Sequence, residues 1–102
     1  MPQCKITVLK TMSNQDLAEK YCQPSDTPRV CPRFTEGQEF IVTYGNQPDE
    51  SFCDWAWNDI HKVYLTLIKG GRTPSMKNSN VMIACCTDGI QPVVFRLERI
   101  SD

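Results

Sequence analysis

Two apolar runs near the end of the chain, VMIACCT (81–87) and PVVFRLERI (92–100), are separated only by DGIQ. A parallel pair of strands needs a crossover of roughly a dozen residues, so a connection this short dictates an antiparallel hairpin. A purely parallel, doubly wound sheet is thereby excluded. The hairpin also constrains chemistry. Successive side chains on a strand leave opposite faces, so the adjacent thiols of Cys85 and Cys86 diverge, and at most one of them serves any single site. Counting by twos puts Val81, Ile83 and Cys85 on one side and Met82, Ala84 and Cys86 on the other, while Val93, Phe95 and Leu97 make the apolar side of the partner strand. Core filling remains an alternative for the pair, since free cysteine packs as a small hydrophobe.

The rest of the chain supplies partners for that hairpin. KITVLK (5–10) alternates, with Cys4, Ile6 and Val8 on one face, and predicts a first strand. Ser13 stands three residues before Asp16 in a capping-box spacing, and Met12 is placed to staple onto Leu17, which predicts a short helix from about 14 to 21. QPSDTPRVCPR (23–33) holds three prolines and reads as a loop carrying Cys31. QEFIVTY (38–44) alternates again and gives a second strand. Ser51 and Asp54 repeat the cap spacing ahead of FCDWAWNDIHKVYLTLIKGG (52–71), where Cys53, Trp57, Ile60, Tyr64, Leu67 and Ile68 form one helical stripe that Gly70 ends. GRTPSMKNSN (71–80) is a long polar loop, either a plain surface connection or a binding segment. The predicted order is β-α-β-α-β-β, an α+β single domain over residues 1–102 with a mainly antiparallel sheet covered by one long helix.

Size and charge narrow the function classes. A chain of 102 residues buries roughly 65% of its unfolded surface, enough for one core without covalent staples. Eleven basic side chains against 12 acidic ones leave a net charge of −1, which gives no electrostatic footprint for nucleic acid or an anionic membrane. The first residues hold too short an apolar run for a signal peptide, and no run reaches the roughly 18 residues of a spanning helix, so the expected setting is soluble and cytoplasmic. In that setting the six cysteines (4, 22, 31, 53, 85 and 86) are expected as thiols rather than a disulfide framework. None forms a C-x-x-C pair, so any metal site must be assembled by folding.

Candidate site residues follow from these placements. Cys31 is held by Pro32 in a stiffened loop, and Cys53 falls at the start of the main helix, where free N–H groups and the positive dipole end favour a thiolate. His61, the single histidine, lies about 80° around the helix from Cys53 and is a candidate general base or ligand. Cys31, Cys53, His61 and Cys86 would make a three-cysteine, one-histidine set suited to zinc or another thiophilic ion. Trp55 and Trp57 point about 200° apart, so both cannot enter one core, and Trp55 is left to line a pocket or an oligomer interface or to be covered in part by a loop. Asp88, in a turn pair with Gly89, and Arg96, on the polar side of the last strand, complete the ligand-binding candidates.

Three stretches, CPRFTEGQEF (31–40), SFCDWAWNDI (51–60) and ACCTDGIQPVVFRLERI (84–100), resemble a family of small, uncharacterised proteins marked by a CP-x-F-x2-G-Q-x-F block and a C-terminal CCTDG-x-x-PV-x-F block. The resemblance implies weight for Cys31, Cys53 and the 85–89 block and brings no activity with it. The expectation is a cysteine-based site, reactive thiol or metal, beside an aromatic-lined pocket. The alternatives are a metal-free enzyme acting on a small molecule and a homodimeric interaction module.

Overall fold

The computed structural model describes residues 2–24 and 30–101. Its elements are β1 (Gln3–Thr11), α1 (Gln15–Tyr21), β2 (Glu39–Thr43), α2 (Asp54–Ile68), β3 (Val81–Cys85) and β4 (Val93–Ser101), in the order expected of an α+β domain. The strands make one antiparallel sheet ordered β2-β1-β4-β3. The hairpin β3–β4 is therefore one half of the sheet, and β1 joins it to β2. Part of the proline-rich segment, 25–29, lies outside the described residues.

Alternation decides which face is buried. Cys4, Ile6 and Val8 of β1 face inward with Phe40 and Val42 of β2 and with Val93, Phe95 and Leu97 of β4. The register sets Ile6 opposite both Phe40 and Leu97, and Val8 opposite Phe95, so the inward side chains form contiguous rows. α2 lies over this face, touching β3, β4 and β1, and buries Ala56, Trp57, Ile60, Tyr64, Leu67 and Ile68 at the three-to-four-residue spacing. A bulge between Val8 and Lys10 inserts Leu9 without a partner and shifts the end of β1 toward Val93 and Val94. Burial pushes the inward Cys4 thiol up to about 11.

The opposite face carries charge. Lys5 Nζ lies 3.7 Å from Glu39 Oε2 and 4.0 Å from Glu98 Oε1, and Arg96 Nη2 donates to Thr7 Oγ1 at 3.3 Å. Ile41 and Ile83 sit among them about half exposed.

Both helices depart from the sequence reading in how they begin. The N-caps are Asn14 and Cys53, neither with a side-chain capping bond, rather than the Ser13–Asp16 and Ser51–Asp54 boxes. Asn14 is fixed elsewhere: its N–H donates to Ile90 O at 2.9 Å and its Nδ2 to Gly89 O at 2.5 Å, tying the exit of β1 to the β3–β4 connection. Ser51 N–H instead donates to Asp49 Oδ1 at 2.8 Å, which holds that carboxyl below its usual range. α2 is 15 residues long, about 22 Å, and so shorter than the stretch 52–71. It stops before Gly70, whose φ of +92° is a left-handed conformation that ends a helix at little steric cost. Among the described residues no helix is long and apolar enough to cross a membrane.

Candidate functional site

An aromatic cluster explains how distant cysteines meet. Phe34 packs edge-on against Phe52 and Phe95, each with ring centroids 5.1 Å apart, and Phe52 packs on Phe40 at 4.9 Å. Edge-to-face pairs of this kind add about 1 kcal/mol each beyond the area they bury. Phe34 thereby fastens the loop after Pro32 to the core, and Phe52 fastens the residues leading into α2. Cys31 is carried three residues ahead of one anchor and Cys53 directly after the other. Both come to the end of the sheet where β3 gives way to the turn at Asp88.

A cleft of about 220 Å³ opens there, lined by Cys31, Cys53, Cys86, Trp55, Arg33 and Asp88, with Phe34, Ala56 and Val93 beneath. Every lining residue comes from 31–34, 53–56 or 86–93. Cys86 continues the inward row of Met82 and Ala84, and its Sγ accepts the Val93 N–H at 3.3 Å while its own N–H donates to Val93 O at 3.1 Å. Cys85 points the other way and is exposed, its Sγ donating to Cys86 O at 3.2 Å. Partial desolvation, reinforced by the neighbouring Cys86 and the Asp59 carboxylate, pushes the Cys85 thiol up. The divergence expected from the strand pleat is therefore observed, and Cys86 is the member that reaches the cleft.

Cys53 is the N-cap of α2, with extended backbone at φ −65° and ψ 127°. Its side chain stands where Ser or Asp commonly accepts the first free N–H groups of a helix, a position that favours negative charge. Trp55 is 62% exposed and is nonetheless tethered. Its Nε1 donates to Thr87 Oγ1 at 2.8 Å, and Thr87 donates from Oγ1 and N to Asp59 Oδ2 at 2.9 and 2.7 Å. The indole is thus a wall whose polar edge is pinned to the residue following Cys86. A second, more open hollow is lined by Trp55, Asn58 and Asp59. Asp88 Oδ1 accepts the N–H groups of Ile90 and Gln91, both at 2.9 Å, so this carboxylate shapes the turn.

Cys31, Cys53, Cys86, Trp55 and Asp88 are thus brought together, whereas three other candidates stand apart. Trp57 is a core residue on Phe52 and Tyr64, with centroids 6.3 and 5.0 Å away. His61 packs against Trp57 at 5.1 Å and Tyr64 at 6.1 Å and lines no part of the cleft. Arg96 belongs to the charged outer face of the sheet. The zinc set of Cys31, Cys53, His61 and Cys86 consequently does not close, and among the described residues no three His, Cys, Asp or Glu side chains converge as ligands for an ion. The 71–80 loop joins β3 at Val81, the end remote from Cys86, and gives the cleft no residue.

Arg33, Gln91, Thr87 and Asp59 were not legible as site residues. One signal was available for Asp59: it follows Trp55 by four residues on a helix and so shares its face. Compared with protein-family models, curated proteins and solved structures, the chain matches none.

Proposed function

We propose that the cleft is a thiol-based site for a small molecule, with Cys53 as the reactive sulfur and the Trp55 indole as the wall against which the ligand lies. The observation that carries this reading is that three thiols from separate stretches of the chain line one cleft, one of them at the N-cap position of a helix. The three stretches that line the cleft also contain the motifs carrying the family resemblance, which supports a functional rather than a structural focus there. The size suits a small metabolite better than a peptide, which would need a longer groove.

The test is alkylation with iodoacetamide at neutral pH, followed by peptide mapping of the rate at each of the six cysteines. Cys53 is expected to react first, ahead of the more exposed Cys85, and addition of a fitting ligand is expected to slow Cys53 and alter tryptophan emission. Reaction ordered by exposure alone, with Cys85 fastest, would remove the basis for the proposal.

A further inference from the structure

The company Cys53 keeps narrows the chemistry, and on the thiol reading above we infer that the cleft performs thiol–disulfide exchange on low-molecular-weight disulfides, with Cys53 attacking and Cys31 resolving. The case rests on what the cleft contains and lacks. Acyl transfer and hydrolysis by a cysteine need a base to move protons, most often an imidazole. The single histidine, His61, is packed on Trp57 and Tyr64 outside the cleft, and Asp88 is fixed in the turn by two backbone N–H groups that both donate to its Oδ1. Disulfide exchange asks for no proton relay: it needs a thiolate to attack and a thiolate to leave. It does need a second sulfur within reach, or the first mixed disulfide becomes a dead end. Cys31 and Cys86 line the same cleft as Cys53.

The steps balance without a further reagent. The Cys53 thiolate attacks one sulfur of R–S–S–R, forming the Cys53–S–S–R bond as the S–S bond breaks, and R–S⁻ leaves with the electron pair. The Cys31 thiolate then attacks Cys53 Sγ, closing a Cys31–Cys53 disulfide and releasing the second R–S⁻. The two protein thiols have lost two protons and two electrons, and the small disulfide has become two thiols. Cys31 is assigned the second step because it lines the same cleft from a connecting segment and, among the described residues, makes no bond to the sheet, whereas Cys86 is clamped to Val93 through both its sulfur and its backbone N–H. Arg33 at the same cleft offers a cation to carboxylates that such disulfides carry.

The experiment treats the reduced full chain with oxidised glutathione and, separately, with cystine, then quenches with acid and maps the products. In the unmodified protein a Cys31–Cys53 disulfide should form, with Cys53 consumed ahead of Cys85. Cys31→Ser should stop at the mixed disulfide on Cys53, and Cys53→Ser should leave only slow reaction at exposed thiols. Circular dichroism of both variants confirms that they fold, and Cys85→Ser serves as the control expected to behave like the parent. A Cys53–Cys86 disulfide, or mixed disulfides spread over all six cysteines with no internal bond, overturns the inference. If Cys53 is fast with iodoacetamide yet forms no internal disulfide, the exchange chemistry fails and the thiol site stands. If Cys53 is slow with both reagents, the two fall together.

Discussion

The two faces of the sheet use the same strands for opposite purposes, and β3 shows the contrast most sharply. On its inner side Met82, Ala84 and Cys86 pack against the core and lead into the cleft, while on its outer side Ile83 and Cys85 meet solvent. The two cysteines are adjacent in sequence, and still one borders the aromatic cluster and the other does not. What separates them is backbone geometry alone, because the residue type is identical. Chemistry is thus assigned here by the pleat before any local feature of the side chain contributes.

The contrast can be broken first through stability. Phe95→Ala, on the inner face, is expected to cost about 3–5 kcal/mol, because Phe95 is fully buried and touches both Phe34 and Phe52. Ile83→Ala, on the outer face of the neighbouring strand, should change stability by about 0.5 kcal/mol or less. Urea unfolding of both variants measures the difference, and comparable losses would mean that the outer face is covered as well.

Alkaline pH gives the next largest effect. Cys4 is buried in the inner row and its thiol is raised from 9.0 to about 11. Above pH 9 the unfolded chain gives up this proton while the folded chain keeps it, so stability falls with rising pH through the window from 9 to 11. The loss is about 2–3 kcal/mol by the top of that window. Burial raises the Tyr64 hydroxyl too, which works in the same direction. Unfolding midpoints at stepped pH should show the decline, and Cys4→Ala should flatten it in part. An unchanged slope in that variant would deny Cys4 its place in the core.

The smallest effect concerns the tether behind the cleft. Thr87→Val removes the acceptor for Trp55 Nε1 and the donor to Asp59. It should cost about 1 kcal/mol and lower the steady-state anisotropy of the Trp55 emission, with buried Trp57 as a constant background. Unaltered anisotropy would show that the indole is held by packing instead.

The element order and the inward rows were legible because alternation over Cys4, Ile6 and Val8 and over Val93, Phe95 and Leu97 is a direct print of burial. The helix stripe was legible for the same reason. What escaped was set by contacts distant in sequence. The strand order depends on β1 choosing both β2 and β4 as neighbours, which no single strand's pattern encodes. Helical angles correctly separated Trp55 from Trp57, yet they could not say which lateral edge of α2 would meet the turn after Cys86, and so His61 was grouped with the wrong side. The helix starts differ from the capping-box spacing because the N-caps are Asn14 and Cys53 and neither side chain caps its helix, Asn14 being held by Ile90 and Gly89 across the chain. Of the cleft, the three cysteines, Trp55 and Asp88 were recoverable from residue type and position. Arg33 and Thr87 are ordinary polar residues in sequence and acquire meaning only from what folds beside them.

A short bifunctional thiol reagent tests the shared cleft most directly, since it records which sulfurs lie within one reach of each other. Mapped after brief exposure of the reduced protein, its bridges should join Cys53 to Cys31 or to Cys86 and leave Cys85 with single-ended adducts. Bridges that never include Cys53, with Cys31 and Cys86 carrying only single-ended adducts, would contradict the account.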